Sequence, residues 1–390
     1  MKKICKLPII LISVLTFLII NSDLYCGVVY ADTLSDNIEE QMSKLDLSQL
    51  SIFFDSLFLD GKINIDFFEC VNSMLKGDIT LEFNSINEYL FKTILGVFFE
   101  LLPTFLSVIA ISVLCGIVQN ARSKYLSEGV GEVTFYVCLM GVVLLLGTQI
   151  ISLWQNIENI IKNIAKLTEI MSPIILTLMM AVGGNVSASV YKPAVAVLSN
   201  GVISVVLYLI MPLVALMTVF NVLGNFSTSI KLSKFSEFIS STIKWIIGLM
   251  VAIFGLFLSV QGITSAHFDG ISIKATKYAI SNSVPIIGGF IKDGLDLMIA
   301  GSVIIKNSIG VTILFALFYM IISPVLYLGI FSLLLKLTSA IIEPICDVRI
   351  PNFCLSVSKT VTYLTVSLIS VGFMLFITVL LMILSANAFF

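Results

Sequence analysis

The chain has 390 residues, 58% of them hydrophobic and only 12% charged, against roughly 25% charged in ordinary soluble domains. A water-soluble fold of this composition could not cover its own surface, which excludes a soluble enzyme or carrier. The net charge of −2 removes the bulk basic character that nucleic-acid binding needs, so no nucleic-acid partner is expected.

From the N-terminus, Lys2, Lys3 and Lys6 precede an apolar run from Leu7 to Ile20 and a polar stretch ending Val29-Tyr30-Ala31. This pattern predicts a secretory signal peptide over 1–31, with an uncleaved anchor as the alternative. Residues 32–90 hold twelve of the 24 acidic residues against three lysines, a balance that suits export across a membrane. Leu45, Leu47, Leu50, Phe53, Phe54, Leu57 and Phe58 recur there at helical spacing, so short amphipathic helices are expected. Such a segment is either a cap packed on the membrane domain or a docking surface for another exported protein.

Five stretches contain no Asp, Glu, Lys or Arg: 133–153, 193–230, 245–266, 307–335 and 360–390. Each reaches the roughly 20 residues that cross about 30 Å of hydrocarbon as a helix. A further span is expected over 93–118, followed by Arg122 and Lys124, which places that loop in the cytoplasm by the positive-inside rule. Between the second span and Pro173, residues 154–169 carry Ile157, Ile160, Ile161, Ile164 and Leu167 on one side and Glu158, Lys162, Lys166 and Glu169 elsewhere. This predicts an amphipathic helix lying in the membrane interface.

The second part of the chain repeats itself thinly. Pro173-Ile174-Ile175 and Pro212 stand 39 residues apart, as do Pro285-Ile286-Ile287 and Pro324, with an offset of 112. An internal duplication is expected. The segmentation is then 1–31 signal peptide, 32–90 acidic exported helices and 91–153 two membrane helices. Residues 154–264 form a first repeat of amphipathic helix, Pro/Gly hairpin and two membrane helices, and 265–390 form a second. The fold class is all-α and polytopic. Six spans result if the Pro/Gly segments 170–190 and 285–306 only dip into the membrane, and eight if both cross. Charges on Lys292, Asp293 and Asp296 favour six, because they are costly against lipid.

Catalytic inventory is poor. His267 is the only histidine and has no nucleophile motif near it. No phosphate-binding loop of the G-x-x-x-x-G-K-[ST] type occurs. Cys346 and Cys354 lie eight apart without a histidine nearby, which does not match zinc-ligand spacing. No catalytic, cofactor or metal residues are therefore assigned, and no cofactor is expected. Candidate pathway or assembly residues are Glu100, the carboxylate well inside a span, and the cluster of Lys277, Pro285, Gly288, Gly289, Asp293, Asp296, Lys306 and Asn307. Gly183 and Gly184 join them, because irregular backbone at membrane depth survives only when buried in protein or facing water. The cluster reads either as an interfacial helix with paired charges, or as a pore-lining hairpin or contact between subunits.

The run Lys277-Tyr-Ala-Ile-Ser-Asn-Ser-Val-Pro285-Ile-Ile-Gly-Gly-Phe-Ile-Lys-Asp293-Gly-Leu-Asp296, with Lys306-Asn307 and Gly310 beyond it, resembles the stage III sporulation protein AE family. The resemblance extends to Leu45-Asp46-Leu47, to Pro173 with Gly183-Gly184, and to Glu343-Pro344-x-x-Asp347. It implies a membrane protein of endospore-forming bacteria, made in the mother cell and placed in the membrane that engulfs the forespore. It further implies a permease-like role in a channel complex with a secretion-type ATPase and ring-forming sporulation proteins as partners. Self-association into a homo-oligomer and a self-sufficient secondary transporter both stay open beside that reading. The resemblance carries over no catalytic residue.

Overall fold

A computed structural model describes residues 38, 40–43, 45–59, 66–76, 83–125, 128–226, 232–283 and 287–385. The signal-peptide reading over 1–31 lies outside the described residues. Among the described residues there are helices and turns and no strand.

Two short helices, α1 (Ser48–Leu59) and α2 (Phe67–Lys76), precede six long rods. The rods are α3 (Phe83–Tyr125), α4 (Glu128–Ala181), α5, α6 (Ser233–Ser283), α7 (Ile287–Ile342) and α8 (Arg349–Leu384). α5 is composite: α-helical Asn185–Ala196, Ile203–Val205 and Met211–Phe226 are joined by π-helical Val197–Val202 and Val206–Ile210. Among the described residues these six rods are long and apolar enough to cross a membrane, the number of the six-span expectation.

Local chemistry explains where the rods break and where they continue. Pro173 stands inside α4, and its ring frees the carbonyl of Glu169 four residues back. The Ser172 hydroxyl takes up that carbonyl at 3.4 Å, so the helix runs on to Ala181. It ends at Gly183, whose φ of +93° is cheap only without a Cβ. α8 opens on Asp347, whose Oδ1 accepts the backbone N–H of Arg349 at 3.0 Å. Pro351 follows in the first turn, where its missing N–H costs nothing. In α5 the wide turn Val206–Ile210 sits directly before Pro212, where the proline ring would otherwise clash with the carbonyl of Tyr208.

The rods are longer than a bilayer is thick: the 54 residues of α4 rise about 80 Å, against about 30 Å of hydrocarbon. Exposed side chains reveal two tiers. On α4, Val133, Val137, Met140, Leu144 and Ile151 are exposed and apolar, whereas Gln155, Asn156, Asn159, Lys162, Asn163, Lys166 and Glu169 form the exposed face beyond. Along α5, the exposed Asn185, Ser189 and Lys192 give way to exposed Tyr208, Leu209, Leu216, Val219 and Leu223. A tier with an exposed apolar face is thus followed by an outer tier whose exposed residues are polar on 155–169 of α4 and at the start of α5, with α7 around Lys306 and the tip of α8 packed beside the end of α4.

This arrangement corrects the reading of 154–169 as an interface-bound helix. Ile157, Ile161, Ile164 and Leu167 are buried because protein covers the apolar stripe, and the helix continues the preceding span without a break. Residues 285–306 are likewise not a hairpin where described, since α7 is helical from Ile287 through Ile342. An offset of 112 carries the 182–184 turn onto 294–296, inside α7.

α7 and α8 form the centre. Between Tyr363 and Ile383 no residue of α8 is exposed. Gly310 of α7 lies so close that an added Cβ would come within 2.4 Å of the Ile383 side chain, and Gly372 of α8 meets Ile321 in the same way at 2.1 Å. Ser332 and Ser358 share a hydrogen bond of 2.8 Å across the pair. Small residues that allow close backbone approach, with hydroxyls as interhelical glue, are how helices associate in lipid.

The described part of the acidic N-terminal segment packs on the outer tier, as a cap would. The Lys166 amine of α4 lies over the Phe53 ring at 5.6 Å. Ser302 of α7 donates to Gln41 at 2.7 Å, and Gln41 donates to the Met298 carbonyl at 3.2 Å. Asp46 holds the start of α1 by accepting from the Ser48 hydroxyl at 2.5 Å and the Ser48 N–H at 3.2 Å. Those two bonds pull its carboxyl below the usual range.

Candidate functional site

The sequence-predicted residues separate into three places. Glu100 is exposed on α3, on the rim of the bundle rather than in its interior. Gly183 and Gly184 make the α4–α5 turn. Lys306, Asn307 and Asp296 lie on α7 in the outer tier, Lys306 fully buried and the other two half-buried. The Lys306 amine donates to the Ser385 carbonyl at 2.5 Å, where the end of α8 concentrates partial negative charge. Lys306 therefore caps the last helix and locks its tip to α7.

Other members of the predicted cluster are placed less fully. Gly288 and Gly289 stand in the first turn of α7. Lys277 is on α6 and Lys292 and Asp293 are on α7, with side chains outside the described residues, as is Pro285 altogether. The expected Lys292–Asp296 pairing falls there too.

Sequence reasoning missed a polar seam between α5, α6 and α8. Asn221 accepts from Ser236 at 2.6 Å and Asn225 donates to the Asn221 carbonyl at 2.6 Å. Ser240 and the Tyr363 hydroxyl lie 2.5 Å apart, with the Lys244 amine 5.9 Å from the Tyr363 ring centre. Thr218 reaches Thr360 at 3.5 Å. The signal was present as Asn221 with Asn225 and Ser236 with Ser240, each pair four residues apart, on adjoining segments, but only the pairing of the helices gives it meaning. The Ser236–Asn221, Ser240–Tyr363 and Thr218–Thr360 bonds hold three helices together, each contributing roughly 0.6 kcal/mol in a membrane, while the Asn225 bond stays within α5.

A second gathering lies at the end where the α7–α8 loop meets α3 and α4. The Arg349 guanidinium stacks 3.6 Å from the Phe135 ring centre and forms a two-point pair with Asp347 at 3.0 Å. Burial pushes the Asp347 carboxyl up, but the Arg349 hydrogen bonds and charge outweigh it, and the group titrates below the usual range. Cys115 sits within hydrogen-bonding reach of Cys138 with Cys346 alongside, and Cys354 is near Cys346. Burial, helped by the Asp347 charge, raises the Cys346 thiol to about 11, so it stays protonated at neutral pH. Among the described residues no group of three or more His, Cys, Asp or Glu is placed to hold a metal ion.

The stage III sporulation protein AE family matches residues 65–386, from the start of α2 to the end of α8. This chain belongs to the stage III sporulation protein AE family. The stage III sporulation protein AE of Bacillus subtilis (strain 168) is 22% identical over 281 residues, covering 72% of this chain and 70% of that protein. No solved structure matches. Family and fold together identify a multi-pass, all-α membrane protein of sporulation. The stage III sporulation protein AE match thus spans both tiers, the polar seam and the Lys306 cap.

Proposed function

We propose that the chain is a non-enzymatic, permease-like membrane component of a secretion-type channel complex that connects mother cell and forespore and supports late forespore development. Membership of a stage III sporulation family carries the reading. The outer tier adds to it: residues 154–181 rise about 40 Å beyond the hydrocarbon, enough to meet proteins in the space the membrane faces. On this reading the protein sits in the mother-cell membrane around the forespore. Its acidic cap and outer tier lie outside the cytoplasm, and Arg122, Lys124, Lys231 and Lys234 lie within it, in agreement with positive-inside. A secretion-type ATPase and ring-forming proteins are its proposed partners, and the ATPase would supply the energy for which this sequence has no phosphate loop.

A secondary transporter is the second reading, favoured by the Gly183–Gly184 break and the two π-helical stretches of α5, since wide helical turns collect at functional positions. Two substitutions test the pathway common to both readings. Glu100→Gln and Asp293→Asn lower the yield of heat-resistant spores at unchanged protein level if either residue lines a pathway. Sidedness has its own test: Lys234→Cys in a cysteine-free background stays unlabelled by a membrane-impermeant thiol reagent in intact cells. Labelling there would reverse the proposed orientation.

A further inference from the structure

α6 and α8 meet in two different ways along their length. Toward the loop-bearing end the Ser240–Tyr363 bond and the Lys244–Tyr363 contact close the joint, with Ile243 and Ile247 buried behind them. Farther along, the helices part around a cavity of about 530 Å³ lined by Val251, Phe254, Gly255 and Leu258 on one side and Phe373 and Ile377 on the other. An added Cβ on Gly255 would meet nothing within 4 Å. Ser259 is the polar residue of the lining, and its hydroxyl already donates to the Gly255 carbonyl at 2.8 Å.

We propose that this groove holds one acyl chain of a phospholipid from the leaflet on the outer-tier side. Depth, chemistry and size agree. Lys244 and Trp245 are exposed and mark the near boundary of the hydrocarbon. Val251–Ser259 then lie about 9–21 Å deeper, reaching into the far half of a layer about 30 Å thick. Water has no place there, because a bound water needs two to four polar partners and the single lining hydroxyl is engaged. An empty apolar space forfeits the dispersion contacts of its walls, and the surrounding medium is itself hydrocarbon. The exposed Ile253 and Leu256 carry the lipid-facing surface of α6 up to the rim, so a chain enters sideways without dehydrating anything. The volume falls within the roughly 300–1,000 Å³ of specific ligand sites. A three-turn partner helix, about 16 Å long and about 10 Å across, takes up more than about 1,000 Å³ and is too large for it.

The experiment purifies the full chain in mild detergent and counts retained phospholipid by native mass spectrometry. Wild type retains one phospholipid per chain. Gly255→Phe fills the groove and lowers that occupancy at least ten-fold, while Leu256→Phe, pointing outward from the rim, leaves it unchanged. Equal occupancy in all three overturns the proposal. Leu258→benzoylphenylalanine, irradiated in native membranes, decides the matter even where Gly255→Phe fails to fold. A phospholipid adduct supports the acyl chain, and an adduct with a second copy or another protein overturns it.

Discussion

α8 and α6 are similar apolar rods with opposite fates. α8 is wrapped by protein from Tyr363 to Ile383, whereas α6 shows an exposed residue on every turn from Lys234 to Ser259. Both are apolar enough to cross a membrane, and because lipid tails are as apolar as a protein core, hydropathy does not explain why one is covered and the other is not. The distinction lies in how closely neighbours approach. Around the centre, Gly310 and Gly372 are packed against side chains closer than any Cβ would tolerate, while Gly248 and Gly255 of α6 face open space. In a membrane the core is thus marked by small residues with no room to grow, not by the largest apolar ones.

Glycine substitutions break or sharpen this contrast. The largest effect is expected for Gly116→Ala, where the added Cβ lands 2.3 Å from the backbone oxygen of Ile345 and must displace the loop stacked on Phe135. About 3 kcal/mol of destabilisation follows, the upper range for overpacking, read as the loss of folded protein in thermal unfolding in detergent. Gly310→Ala and Gly372→Ala press on the ends of isoleucine side chains that can turn away, and about 1–2 kcal/mol is expected by the same measurement. Gly248→Ala meets nothing within 4 Å and should be neutral or stabilising by up to about 1 kcal/mol through helix propensity. Equal costs at Gly310 and Gly248 would end the distinction between centre and rim.

Lys306→Met keeps the bulk of the side chain but drops the bond to Ser385, at about 1 kcal/mol. Faster amide exchange confined to residues 381–385 is the expected signature. The smallest effect concerns pH. The Asp347 carboxyl titrates below its ordinary value, so its contribution is present above about pH 4 and is lost as pH falls through the folded-state value. Wild type should melt slightly above Asp347→Asn at pH 7, and the gap should close under acid conditions.

The six spans were legible because runs such as 307–335 and 360–390 have no charge to hide. The fate of 154–169 was not, since one apolar stripe serves equally against lipid headgroups or against α1, and only the Lys166–Phe53 contact tells which. Within the 170–190 segment the chain turns at Gly183, while Pro173 stays inside the helix with its freed carbonyl met by the Ser172 hydroxyl. The contacts of Lys306 and Gly310 were not legible, because their partners Ser385 and Ile383 lie more than seventy residues away. The polar seam escaped for the same reason: isolated serines and asparagines in apolar stretches acquire a role only through the helix opposite.

The height of α4 sets a clearance. On the proposed placement, with 133–153 in the hydrocarbon, a second bilayer facing the outer tier could approach no nearer than the top of the 182–184 turn, about 40 Å away. A crowd of such molecules would act as struts, fixing the gap between two membranes by the length of a helix.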